Sequence, residues 1–340
     1  MLAIQSMSKT FFFRLTVITF LSCFASLLSY HEVTAEEKQT GPNLHPTTKV
    51  IASNKKHSVI TARISAGYLS GEVNEIVYLP GGGDTKLSQL TWSMGNIYMI
   101  SGGITIEPTD WLKVNTDFGV KANSGSNEMD DYDWLFQSSD WSDWSHHDDV
   151  ELTKGSMLDI NAEFTFTQQQ TTTLSAIIGY KRDNWEWEAR GGDFIYSFDN
   201  FRDTSGSFTP GLLTATYEQT IHVPYIGIGF QTNMAPAYLS GRLTGSFLAT
   251  TTDNDHHHLR NLYYEREFEP GGMIGIDLAS TYKFTDNLAI IGKYQFCNYF
   301  KTRGDTTITD LDTGIRYHFG DIAGTDNQVN IFSLSLAYTF

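Results

Sequence analysis

The chain has 340 residues, a formal charge of −16, 40% hydrophobic and 14% aromatic side chains, and only 18% charged ones. That balance supplies enough apolar surface to fold. It argues against a nucleic-acid partner and points to basic partners instead, and the length suits two ordinary domains or one barrel.

Residues 1–35 read as a secretory signal peptide. Lys9 and Arg14 are basic, Leu15 to Leu28 is nearly all apolar, and Val33-Thr34-Ala35 is the expected cleavage site. The run falls short of the ~18–20 residues that cross a bilayer as a helix, which disfavours a membrane anchor. Cys23 lies in this run, and Phe20-Leu21-Ser22 before it does not suit lipidation. Cleavage after Ala35 leaves Cys297 alone, so no internal disulfide forms in the mature chain. Residues 36–57 are polar and aperiodic and read as a flexible N-terminal extension.

From Ser58 onward ten segments alternate apolar with small or polar residues. In chain order they are SVITARISAGYLSG, LSQLTWSMGNIYMISGGITIE, WLKVNTDFGVKA, MLDINAEFTFTQ, TTLSAIIGYKRDNWEWEA, LLTATYEQTIHVPYIGIGF, AYLSGRLTGSFLATT, GMIGIDLASTYKFT, NLAIIGKYQFCNYFK and IFSLSLAYTF. A period of two puts the apolar side chains on one face of a strand. Short connections (EPTD, QQQT, TNMAP, FTDN) alternate with long polar ones near 71–85, 122–156, 190–212, 252–270 and 302–328.

These features predict an all-β protein, a ten-stranded antiparallel transmembrane β-barrel with long extracellular loops, spanning residues 58–340. Lipid offers the backbone no hydrogen bonds, so such a sheet must close on itself. A soluble β-sandwich is the competing architecture. The ending SLSLAYTF, with Phe340 last, resembles the C-terminal assembly signal of bacterial outer-membrane proteins. A barrel this narrow is filled by side chains, which assigns the function to the loops it carries.

Two loops concentrate chemistry. TTDNDHHHLR (Thr251 to Arg260) places Asp255 and His257 two residues apart, and NEMDDYDW (Asn127 to Trp134) does the same with Asp131 and Asp133. Residues two apart in an extended segment share a face. A carboxylate beside an imidazole fixes its tautomer and raises its basicity. Neighbouring carboxylates resist double ionisation and share a proton. A water held between such pairs would have a base on one side and a proton-sharing couple on the other. By spacing alone the ordinary reading is a solvated loop tip. A metal site using Asp255 with His256, His257 and His258 is a further reading, weakened because adjacent residues of a strand point apart. His146 and His147 are left without an assigned role.

The stretches NEMDDYDW, DNDHH, ARGGDFIYSFDNFRDTSGSF and PYIGIG resemble those of the omptin family, outer-membrane aspartyl-type endoproteases of Gram-negative bacteria, over about Ser58 to Phe340. The resemblance implies a catalytic set of Asp131, Asp133, Asp255 and His257. It implies that His257, oriented by Asp255, activates a water that attacks the peptide carbonyl, with Asp131 the nearer member of the couple. Glu75 and Asp253 are then the acids that bind the basic Arg or Lys before the scissile bond, by charge and hydrogen bonding. It implies a location in the outer membrane with the site facing outward.

No metal or other cofactor is expected, and the protein is expected to be a monomer. His256 and His258 are read as surface neighbours, and Arg190 as the start of a turn through Gly191-Gly192. Family members need lipopolysaccharide, gripped by basic residues on the outer face. Here Asn184 and Thr220 stand where two arginines are expected, with Lys181 and Arg182 as nearby substitutes. The remaining alternatives are a non-enzymatic adhesin that holds basic partners by its acidic loops and metal-dependent hydrolysis or metal storage at the histidines.

Overall fold

The computed structural model describes residues 59–136 and 140–340. The expected signal peptide and extension lie outside the described residues. Fourteen strands follow: β1 (Val59–Tyr78), β2 (Lys86–Thr109), β3 (Leu112–Lys121), β4 (Asn127–Asp133), β5 (Asp143–Gln168), β6 (Thr172–Arg190), β7 (Asp193–Tyr196), β8 (Thr204–Ser207), β9 (Leu213–Met234), β10 (Ala237–His257), β11 (Leu262–Phe268), β12 (Gly271–Lys283), β13 (Leu288–Asp310) and β14 (Arg316–Thr339).

All pairings are antiparallel, and β3–β4 and β12–β11 each serve as one interrupted stave. Between β2 and β5 sit β3 and β4; between β10 and β13 sit β12 and β11. The result is a ring of ten staves. It closes where β1 meets β14, in register from Thr61↔Thr339 to Val77↔Ala323. The β7–β8 hairpin is an addition to β5 beyond the ring.

The alternation in the sequence maps onto the two faces of the wall. Ile64, Ile100, Phe118, Ile178, Ile226 and Leu334 point outward and are exposed, which is the face lipid covers in a transmembrane barrel. In PYIGIG, Pro224 has no N–H for the ladder. Beside it the β9–β10 register shifts between Gly245 and Thr250, and Ser246 Oγ donates to the Pro224 carbonyl at 2.6 Å.

The long polar stretches differ from expectation: most of their length is strand. The sheet runs unbroken up to Tyr78 on β1, His257 on β10 and Asp310 on β13. Unbroken staves of 20 to 26 residues, such as β1 and β5, are about twice the ~9–11 that cross a bilayer. The upper half of the ring therefore stands in water. There the outward face turns polar, so the hydropathy contrast that marks a strand fades while the neighbours' hydrogen bonds continue.

The interior is packed at the level where the ring emerges. Trp92 stacks on Tyr217 at 5.4 Å between centroids, and Trp187 lies 5.8 Å from the same ring. These three and Trp185 are fully buried, over Leu69, Val73, Ile97 and Leu152. Nearer the short-turn end is a cavity of about 470 Å³ lined by Arg63, Lys181, Arg242, Asp277 and Lys293 among others. The aromatic layer makes the barrel a stoppered frame, and the groups of interest sit above it.

Candidate active site

Strand alternation sorts the TTDNDHHHLR stretch. On β10 Asp253, Asp255 and His257 share the inner face, while Asn254 and His256 take the other. Asp253 and Asp255 are buried, and His257 reaches the groove partly exposed. His257 Nε2 meets Asp255 Oδ2 at 2.6 Å, so Nε2 carries the proton and Nδ1 is the basic nitrogen. Arg260 Nη2 donates to that Nδ1. Burial alone would raise the Asp255 carboxyl. The charge and hydrogen bond of His257, joined by Arg266 and Arg260, outweigh it and leave Asp255 below its ordinary value.

Asp131 and Asp133 lie on β4, held to β2 by Leu90↔Asp131 and Ser88↔Asp133. Ser88 Oγ donates to Asp131 Oδ1 at 3.2 Å. Burial, followed by the charge of Asp133, pushes Asp131 well above the usual carboxylate range. Asp133 is also raised, mainly by burial, while Arg260 and His257 pull it down. The couple and the dyad are thus linked electrostatically: Asp133 feels the charge of His257, and Asp131 that of Asp255. The Tyr196 phenol of β7 borders the couple, and burial together with Asp131 lifts it to about 12.

Glu75 and Asp253 are brought together as expected, but they already hold a cation. Arg266 of β11 is the register partner of Asp253. Its Nη2 lies 2.5 Å from Glu75 Oε1 and 3.6 Å from Asp255 Oδ2, and its Nη1 is 3.0 Å from Asp253 Oδ1. These four side chains are sealed in: Glu75, Asp253, Asp255 and Arg266 are each at most 3% exposed, while the neighbouring imidazole of His257 is partly exposed. One guanidinium does not hold three buried carboxylates ionised. Burial, opposed by Arg266 and reinforced by the neighbouring acids, pushes Glu75 well up, and burial raises Asp253 as well. Glu75 Oε2 and Asp255 Oδ1 are buried with no hydrogen-bond partner among the described residues.

Beneath this set Tyr217 OH donates to Asp253 Oδ2 at 3.0 Å and accepts from Gln219 Nε2 at 3.1 Å. Gln219 also reaches Thr325 and Asn327 on β14. Sequence reasoning did not identify Arg266, Arg260, Ser88, Tyr196 or Tyr217. The usable signal for Arg266 was parity: in LYYEREF it shares a face with Tyr264 and Phe268, while Glu265 and Glu267 take the other.

The remaining histidines go elsewhere. His256 and His258 lie against each other, tilted by 37° with ring centroids 3.8 Å apart, and His258 Nε2 meets Thr216 Oγ1 at 2.8 Å. The histidine run therefore does not converge with Asp255 on one point. His146 Nδ1 contacts Asp130 Oδ1 at 3.0 Å, and His147 is buried against Phe208. Gly191 and Gly192 have φ of 55° and 104°, and a Cβ on Gly192 would lie 2.3 Å from the His146 carbonyl oxygen, which explains the glycine pair after Arg190.

On the outer face Asn184 and Thr220 are register partners, and Asn184 Nδ2 donates to Thr220 Oγ1 at 2.8 Å and to Glu218 Oε1 at 3.0 Å. Lys154 lies beside them, 2.5 Å from Glu186. Of the two expected substitutes, Lys181 faces the interior cavity and Arg182 is on the exposed face.

Comparison with known proteins finds relatives over most of the chain. The family model described as Omptin family matches residues 56–340. The plasminogen activator of Yersinia pestis is 28% identical over 327 residues, 96% of this chain and 97% of that protein. The outer membrane protease OmpP of Escherichia coli K12 is 27% identical, covering 83% of this chain and 90% of its own. The crystal structure of the outer membrane protease OmpT from Escherichia coli superposes with a TM-score of 0.80 at 27% identity, over 83% of this chain and 97% of that one.

Proposed function

The chain belongs to the omptin family and is an outer-membrane protease of the Gram-negative type, and from that premise we propose an aspartyl-type endopeptidase that uses no covalent intermediate. His257 Nδ1 takes a proton from a water as the water attacks the peptide carbonyl, and returns it to the leaving amine nitrogen as the C–N bond breaks. Asp255 holds Nε2–H and stabilises the imidazolium that forms. Asp131 and Asp133 share a proton on the far side, orient the water and supply a donor to the developing oxyanion. The observation that carries this reading is the Asp255–His257 dyad at 2.6 Å, with an Asp131–Asp133 couple near enough for the imidazole and the couple to feel each other's charge.

Substrates are basic polypeptides, drawn by an acidic chain and an acidic groove. Selection of Arg or Lys by Glu75 and Asp253 depends on Arg266, whose guanidinium stands between the two acids. Lipopolysaccharide contacts are proposed to be weaker than the family pattern implies, because Asn184 and Thr220 carry no charge and Glu218 stands beside them. Comparing turnover with and without lipopolysaccharide tests this.

The central test offers a peptide mixture rich in Arg and Lys to the refolded barrel and reads the products by mass spectrometry. His257→Ala and Asp131→Ala are expected to lose on the order of 10²–10⁴-fold in rate. Equal turnover in all three proteins refutes the mechanism. Binding of basic peptides without cleavage, unaffected by either change, would favour an adhesin.

A further inference from the structure

We infer that Arg266 is a specificity-determining residue: its guanidinium stands in for a substrate's basic side chain between Glu75 and Asp253, so the residue accepted before the scissile bond is small and uncharged. This rests on the endopeptidase reading above and narrows its substrate class.

Three observations carry it. The first is occupancy. Arg266 already makes the two ion contacts, at 2.5 and 3.0 Å, that an incoming arginine would need from Glu75 and Asp253. The second is charge. A second cation pressed beside a buried guanidinium meets like-charge repulsion in a medium that screens poorly. Glu75 Oε2 is the one buried acceptor of that acid left without a partner, and a single buried oxygen beside a fixed cation does not recover the desolvation of another guanidinium. The third is rigidity. Arg266 is 3% exposed, on a strand paired on both sides, with its cross-strand partner Asp253 pinned by Tyr217. Moving it aside would also disturb Asp255, only 3.6 Å away, and with it the dyad. A short neutral side chain needs none of these contacts. The basic residues of a substrate are then read at other positions by the acidic rim.

The experiment uses the full barrel and matched fluorogenic peptides that differ only in the residue before the cleaved bond: Arg, its neutral isostere citrulline, or Ala. For the wild type, kcat/KM for the Arg peptide is expected not to exceed that for citrulline, with Ala the best. In Arg266→Ala the Arg-to-citrulline ratio is expected to rise at least tenfold, and adding Glu75→Gln and Asp253→Asn is expected to abolish that gain. Arg266→Gln, which keeps side-chain bulk, serves if the alanine variant fails to fold. The wild-type ratio decides even without a variant: a tenfold or greater preference for Arg over citrulline overturns the proposal. Turnover that is absent, or that equals His257→Ala with every peptide, overturns the endopeptidase reading and this proposal with it. Turnover with an Arg preference overturns this proposal alone.

Discussion

Asp253 and Arg266 are paired residues of neighbouring strands, and their side chains meet at 3.0 Å inside the wall of the barrel. Glu75 reaches the same guanidinium from β1, so the first strand and the two staves of the fourth loop are joined by one cation.

Removing that cation alone leaves buried acids facing each other. Arg266→Met is expected to cost about 3–5 kcal/mol, the usual range for breaking one side of a buried ion pair. The triple change Glu75→Gln, Asp253→Asn, Arg266→Met should recover most of the loss, because no charge remains buried without a partner. Urea unfolding in detergent, followed by tryptophan fluorescence, checks both.

Arg260 competes with a substrate water for His257 Nδ1. A hydrogen bond of this kind contributes about 0.5–1.5 kcal/mol net, so freeing the nitrogen raises the competent fraction about two- to tenfold. Arg260→Gln is therefore expected to increase kcat by that factor, measured in single-turnover cleavage. A fall in kcat would show that Arg260 assists the reaction.

The carboxyl couple sets one limb of the pH–rate profile. Burial raises Asp131 first, and the charge of Asp133 adds to it. In Asp133→Asn that charge is gone, so Asp131 loses its proton at lower pH, and the limb belonging to the couple moves to lower pH. The same shift in direction governs stability. Acids with raised pKa values favour the folded state below their unfolded pKa and lose that contribution as pH rises through the folded value. A kcat/KM profile of wild type against Asp133→Asn tests the first statement.

Tyr217→Phe removes a donor to Asp253 and an acceptor for Gln219 while keeping the ring packed against Trp92 and Trp187. An expected loss of about 1–3 kcal/mol follows from leaving the Asp253 oxygen without that partner. Urea unfolding gives the loss, and an unchanged near-ultraviolet circular dichroism spectrum would show that the stack persists.

Much of this was legible in the sequence, and the illegible part has a physical pattern. Ten staves followed from alternation because lipid outside and packed side chains inside keep the two faces chemically distinct. The two-residue spacing puts Asp131 with Asp133, and Asp255 with His257, on one face of a strand; only the resemblance to omptins singles these pairs out from a solvated loop tip. The upper staves were not legible, since water bathes their outer face and removes the contrast. Arg266 was hidden for a related reason: between Glu265 and Glu267 it looks like one charge on a solvated stripe. Only the parity it shares with Tyr264 and Phe268 turns it inward. Lys181 turns into the interior cavity for the same reason, one residue before the exposed Arg182.

The seam between β1 and β14 has a consequence for the cell that makes this enzyme. Glu75 hangs from the first strand, and the support under Asp253 passes through Gln219 to Thr325 and Asn327 on the last. Until the first and last strands of the barrel zip together, the candidate site has no walls. The precursor can travel through the compartment beneath the membrane unarmed, and it gains its blade on arrival.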